Sequence, residues 1–214
     1  MLRKEKIKFV GFDLDQTLYK DTEEIQKCYR DTIYKDLSKE LKLSYEEAEE
    51  RFEKNYKIFG SGSDTFRFLG IDKAEQFSAN ISNKVEVYKF LRPDLELVNM
   101  VRYLKEKYTI FLITTSAKES SYRKLKKIGF DPESDFEFRI FGGDRKMSKT
   151  KGRAYNAMLK LTKGKPIEHV YVGDKEKADI IPAKRVGMQT VIVWNKSKHA
   201  DLNISTIYDL EKYL

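Results

Sequence analysis

Four short segments of this sequence carry residue types that together can handle a phosphoryl group. The first is Asp13-Leu14-Asp15-Gln16-Thr17, directly after the apolar run IKFVGF (7–12). Side chains two apart on an extended chain point the same way, so both carboxylates can face one pocket. Carboxylates this close repel and raise a pKa unless a cation compensates. A divalent metal with a phosphate fits the pair, one carboxylate as nucleophile and the other as proton carrier. Taken alone, D-x-D reads equally well as a turn capped by Asp.

The second segment is Thr114-Thr115-Ser116, where an apolar run meets a hydroxyl cluster ahead of a helix. Hydroxyls and backbone N–H groups there can hold phosphoryl oxygens, although Thr and Ser also cap helices. The third is Lys149 within KMSKTKGRAY, a cation for the crowded carboxylates and the phosphate; five basic residues between 145 and 153 compete for that role. The fourth is VGDKEKAD (172–179). Asp174 can complete a hard, oxygen-rich site suited to Mg²⁺. Asp179 can bind the ion through water or orient Lys149. Each segment has a bland reading as a cap or a solvated face, but the four together in this order do not.

Each segment needs a strand end to present it. IKFVGF (7–12), TIFLIT (109–114), FEFRIF (136–141), EHVYVG (168–173) and TVIVW (190–194) read as strands. They alternate with helical patterns at 94–106, 118–128 (Gly129 just past its end), about 150–162 and about 177–186. That rhythm implies parallel β-α-β units in a doubly wound α/β sheet, whose ligand site lies at the carboxyl ends of the strands. Residues 18–92 depart from it. An amphipathic stretch runs from about Thr22 to Lys57, restarted by the Ser44–Glu47 capping box. FGSGSD (59–64) reads as a loop, and short helices follow over 64–90. The segment is expected to be a helical insertion after the first strand.

The 214 residues carry 42 Lys and Arg against 34 Asp and Glu, a formal net charge of +8. Residues 118–165 hold fourteen of the former and six of the latter, which accounts for the whole excess. Such a stretch attracts anions; RKLKK (123–127) reads as a solvated helix face. No apolar run approaches the ~20 residues of a bilayer-spanning helix. The single Cys28 excludes an intramolecular disulfide and a cysteine-based zinc site, so a reducing cytoplasm is the expected compartment.

Through FDLDQTLY (12–19), FLITTSA (111–117), SKTKGRAY (148–155) and VGDKEKADIIPAKRVGMQTV (172–191), the chain resembles the haloacid dehalogenase superfamily of phosphohydrolases. The resemblance implies a Rossmann-like core formed by 1–17 and 93–214, with 18–92 as a type-1 helical cap. It implies that Asp13 is the nucleophile that becomes aspartyl-phosphate. Asp15 then protonates the leaving group and activates the hydrolytic water. Thr114 binds the phosphoryl group with Thr115 beside it, and Lys149 steadies the charges. Asp174 binds Mg²⁺ with Asp13 and the Asp15 carbonyl, and Asp179 supports that site. Many relatives have Asn at Thr115, Lys-Pro at Lys149-Thr150 and Asn-Asp at Ala178-Asp179.

YKIFGSGSDTFRFLGI (56–71), followed by FLRPDLEL (90–97), resembles the pyrimidine 5′-nucleotidase branch. This implies a nucleoside 5′-monophosphate substrate, with Tyr56 and Phe59 available to stack on a base. The alternatives are a sugar-phosphate or phosphoglycolate phosphatase and, from another class, a catalytically silent or nucleic-acid-binding protein using the 118–165 stretch. The expected partner is a small phosphorylated metabolite, with neither membrane nor nucleic acid. His169 and His199 fall outside every motif.

Overall fold

The computed structural model describes residues 2–142 and 147–214. Arg145 and Lys146, two of the competing cations around Lys149, lie outside the described residues. Six parallel strands form one sheet: β1 (Phe9–Phe12), β2 (Thr109–Ile113), β3 (Phe138–Ile140), β4 (His169–Gly173), β5 (Gln189–Val193) and β6 (Leu202–Ile204). Their order is β3-β2-β1-β4-β5-β6, the doubly wound Rossmann-like arrangement. Both neighbours register on β1, with Phe12 opposite Leu112 on one side and Val172 on the other.

The strands are near-continuous apolar runs because the sheet is covered on both faces. Alternate residues serve opposite layers. Val10, Phe12, Ile110, Leu112, Val170 and Val172 join the larger apolar cluster. Phe111, Ile113 and Tyr171 join a smaller one beneath, with Tyr155 and Met158. The covering helices are α5 (Leu95–Lys105), α6 (Lys118–Ile128), α7 (Arg153–Thr162) and α8 (Ile181–Arg185), the last preceded by a π-turn at Glu176–Ile180. Asp94 caps α5 by accepting from the Leu97 N–H, and Gly129 closes α6 at φ 117°.

Between β1 and β2 the chain forms α1 (Glu23–Leu41), α2 (Tyr45–Phe59), α3 (Gly62–Phe68) and α4 (Ala74–Lys84). The capping box at Ser44 and Glu47 is present in both directions. FGSGSD is not the six-residue loop expected: Gly60 ends α2 in the left-handed conformation and Ser61 caps α3 at once. Stacked and edge-on contacts among Tyr34, Tyr45, Phe52, Tyr56, Phe66 and Phe77 hold these helices together. Among the described residues no helix is long and apolar enough to cross a membrane.

Candidate active site

The carboxyl edge of the sheet gathers the predicted segments. Asp13 follows β1, its N–H still on the Val172 carbonyl at 2.9 Å, and Asp174 follows β4. One oxygen each of Asp13, Asp174 and Asp179 lies within 4.8 Å of the others, and all three residues are buried. Lys149, also buried, donates to Asp13 Oδ1 at 2.8 Å and ion-pairs with Asp179 Oδ1. Of the competing basic residues that are described, it is the one that reaches the carboxylates.

Asp179 is carried into the cluster on the π-helical turn Glu176–Ile180. Its Oδ2 accepts from the Lys175 N–H at 2.9 Å, and Tyr155 Oη holds the Ala178 carbonyl at 2.7 Å. Gly173 makes the approach possible, since a Cβ there would lie 2.4 Å from that of Asp179. Asp179 therefore sits directly against Lys149 while also belonging to the acidic triad.

Burial, with repulsion from Asp179 and Asp15, pushes Asp13 up to about 6 against the pull of Lys149. Burial, with Asp179 and Asp13 nearby, takes Asp174 to about 7 although Lys175 opposes the shift. The Asp174 carboxylate accepts one long bond, from Thr17 Oγ1 at 3.4 Å. Asp179 Oδ1 is buried with no directed hydrogen bond. A crowded, under-satisfied all-carboxylate set of this kind fits a hard divalent cation.

The side chain of Asp15 is outside that triad. Its Oδ1 accepts from Tyr19 Oη and Lys124 Nζ, each at 2.5 Å, and its Oδ2 from Ser116 Oγ at 2.5 Å. Burial alone would raise this carboxyl. The Lys124 charge and the donors from Lys124, Ser116 and Tyr19 outweigh burial and bring it to about 2. Two carboxylates two residues apart thus occupy opposite electrostatic environments.

Thr114 does not take the place expected of it. It is 2 % exposed, and its Oγ1 accepts from the Ser116 N–H at 3.1 Å. Thr115 is exposed and lines the cleft. The ladder ends with Ile113, one residue before the strand end expected at Thr114. Gly142 packs against this turn, with space for no Cβ: one would meet the Thr115 carbonyl at 1.7 Å.

The cleft contains two cavities that share Asp15, Tyr56, Gly62, Ser78, Thr115 and Lys175 in their walls. One, of about 110 Å³, lies over Asp13, Lys149 and Asp179. The other, of about 440 Å³, runs under α1 and α2 and is lined by Gln16, Asp21, Gln26, Tyr29, Arg30 and Asn195 among others. Tyr56 reaches both, whereas Phe59 packs on Phe68 and reaches neither.

Three cations of the basic stretch are taken up by the fold, while Arg123, Lys126, Lys127 and most of the others described stay exposed. Lys124 is 0 % exposed, against the expectation of a solvated face, and Lys149 is buried. Arg139 is spent on the Pro132, Glu133 and Phe136 carbonyls. Lys124 is thus a site residue outside every motif, and Ser116 and Tyr19 are motif residues for which the sequence suggests no role of their own. A signal existed for Lys124, which stands at helical spacing between Ser120 and Ile128 on the buried face of α6.

Comparison with known proteins identifies the family. The haloacid dehalogenase-like hydrolase family matches residues 10–193. A glyceraldehyde 3-phosphate phosphatase of Methanocaldococcus jannaschii is 29 % identical over 204 residues, covering 92 % of this chain and 88 % of its own. One from Methanopyrus kandleri is 25 % identical, covering 92 % and 87 %. Among solved structures, a HAD phosphatase from Thermococcus onnurineus superposes with a TM-score of 0.63 at 26 % identity over 97 % of both chains. The chain belongs to the haloacid dehalogenase-like hydrolases and is a phosphohydrolase of that family.

Proposed function

We propose that this haloacid dehalogenase-like hydrolase is a Mg²⁺-dependent phosphatase that cleaves a small sugar phosphate through an aspartyl-phosphate on Asp13. The observation that carries the reading is the pair of contrasting carboxylates. Asp13 is buried in the acidic triad against Lys149, while Asp15 is held by its own cation, Lys124.

In this reading an Asp13 oxygen attacks phosphorus as the bond to the leaving oxygen breaks. Asp15, ionised against Lys124, first takes up a proton from solvent, delivers it to that oxygen, then removes one from the water that cleaves the acyl phosphate, restoring Asp13. Lys149 offsets charge on Asp13 and on the phosphoryl oxygens. Thr115 is the hydroxyl for those oxygens, taking over the role expected of Thr114. Asp13, Asp174 and Asp179 would hold a divalent cation, which would supply positive charge beside the phosphate dianion and the attacking carboxylate.

We take residues 18–92 as the cap, over a core of 1–17 and 93–214. Lys177 Nζ donates to the Lys57 and Ile58 carbonyls at 3.1 and 2.6 Å, and Thr150 Oγ1 to Asp64 Oδ2 at 2.8 Å, which supports a cap seated on the core. Such seating excludes bulk water from the reacting phosphoryl group.

The larger cavity supports a polyhydroxylated leaving group, because Gln16, Asp21, Gln26, Arg30 and Asn195 offer polar contacts in its wall. Base stacking as in a nucleotidase has one fewer candidate, Phe59 being turned away. Both curated relatives described above carry the name of a triose-phosphate phosphatase, which favours a sugar phosphate over a nucleotide. A reducing cytoplasm suits a chain whose single cysteine is free.

The test is phosphate release from glyceraldehyde 3-phosphate, phosphoglycolate, a hexose phosphate and pyrimidine nucleoside monophosphates, with and without Mg²⁺. The wild type should release phosphate from the short sugar phosphates in a metal-dependent way, and Asp13→Asn should not. Preference for the nucleotides would return the assignment to the nucleotidase branch. Substantial release by Asp13→Asn would remove the nucleophile.

A further inference from the structure

Lys124 is the residue of α6 least expected from its surroundings. It stands in a run of basic residues, yet it is 0 % exposed and its ammonium points to the end of β1. It donates to Asp15 Oδ1 at 2.5 Å and to Ser116 Oγ at 3.0 Å. Ser116 in turn donates to Asp15 Oδ2 at 2.5 Å, so Lys124 and Ser116 grip both oxygens of one carboxylate. With Tyr19 Oη also on Oδ1, three of the roughly four acceptor positions of Asp15 are filled. The side chain keeps a 21 % exposed face, and Asp15 lines both cavities.

The grip continues into the helices between β1 and β2. Ser82 on α4 places its Oγ 3.2 Å from Ser116 Oγ, and Tyr29 on α1 donates to Ser82 at 3.4 Å. Ser82 Oγ also donates to Ser120 Oγ at 3.5 Å, which ties α4 to α6 at the same point. A chain of hydroxyls therefore runs from α1 through α4 to the Asp15 carboxylate, and Lys124 anchors its inner end. Burying an ammonium this completely is costly unless it is paired and hydrogen-bonded. A methionine of similar length would serve packing alone.

We infer that Lys124 is a positioning residue for Asp15, fixing the carboxylate so that its one remaining acceptor position faces the leaving group when α1 and α4 are seated. The inference rests on the proposed acid/base role of Asp15. Free rotation of that carboxylate would cost most where proton delivery is needed. An alkyl phosphate leaves as a poor alkoxide and needs the proton, whereas a p-nitrophenolate leaves without one.

The experiment measures kcat/KM for an alkyl phosphate substrate and for p-nitrophenyl phosphate, with Mg²⁺ present, in the full chain. Lys124→Met should lower the alkyl value about 100-fold, within the range contributed by general acids, and the aryl value less than about 3-fold. Lys124→Arg should recover at least a tenth of the alkyl activity, because it restores the charged donor. Equal losses with both substrates, or no recovery by arginine, would overturn the inference. Should Lys124→Met fail to fold, Ser116→Ala removes the hydroxyl link and keeps the ion pair; it must show the same contrast, smaller in size, or the inference fails. Asp15→Asn separates the two levels of the argument: full alkyl activity there would defeat the acid/base role itself. An inactive Asp15→Asn with equal alkyl and aryl losses in Lys124→Met would defeat only the role of Lys124.

Discussion

Replacing Gly173 by alanine tests the acidic site without touching a carboxylate. The new Cβ would lie 2.4 Å from Asp179 Cβ, 2.5 Å from its Cγ and 2.7 Å from its Oδ2. Ordinary contact requires about 3.4 Å or more, so one side must yield by roughly 1 Å. The strand cannot easily do so, since Gly173 is paired with Ile192 in the sheet interior. Asp179 must move, and its Oδ2 bond to the Lys175 N–H and its ion pair with Lys149 move with it. Overpacking of this kind costs about 1–3 kcal/mol, which for a chain of this size lowers Tm by about 2–12 °C. A 1 Å displacement of a positioned group costs about 100-fold in rate. Thermal unfolding with a Mg²⁺ titration, together with phosphate release, reads both effects. A variant that loses stability but keeps metal affinity and kcat within twofold of the parent would show that Asp179 takes no part in the site.

Other expectations follow from the same geometry. Thr115→Ala should lower kcat/KM about 10-fold or more with unchanged Tm, whereas Thr114→Val should cost about 1 kcal/mol of stability through the lost bond to the Ser116 N–H and leave turnover nearly intact; paired kinetics and calorimetry decide between them. Lys149→Met strands buried carboxylates and should destabilise the metal-free protein by about 3–5 kcal/mol, with excess Mg²⁺ restoring part of the loss in a thermal shift assay. Asp13 and Asp174, held at about 6 and about 7, bind protons in the folded state that the unfolded chain has released. Their contribution therefore makes the metal-free protein less stable as pH rises from about 4 to 7. Asp15, held at about 2, acts in the opposite sense only below pH 4. Asp174→Asn should flatten the pH dependence of Tm over the upper window, and an unchanged slope would contradict the crowding.

Much of the site was legible because strand ends are legible. Asp13 and Asp174 follow apolar runs that could only be buried strands, and parallel packing brings such ends together. Lys149 was legible by chemistry but not by geometry, since neighbouring lysines offer the same charge. The choice between Thr114 and Thr115 was out of reach because one residue of phase decides which side chain faces the cleft. Lys124 was hidden by Lys126 and Lys127, whose charge made the helix face look solvated although Ser120, Lys124 and Ile128 share its buried side. The short β6 carries no alternation long enough to read. The two-residue link at Gly60-Ser61 was masked because cap residues and loop residues have the same composition.

The position of β1 in the middle of the sheet also dictates an order of events during synthesis. Phe9 leaves the ribosome before both of its partners, Thr109 on one side and His169 on the other. The helices over 23–84 have neighbours close in sequence and can form while the first strand is still unpaired. Asp13 meanwhile stays hydrated, and its crowding begins only when residues 149, 174 and 179 have emerged. The nascent chain thus carries an apolar strand without a sheet until β2 has emerged. FVGF is four residues long and followed at once by Asp13 and Asp15, whose charge discourages pairing with the wrong edge. The carboxylates that build the site also act as gatekeepers for the strand that presents them.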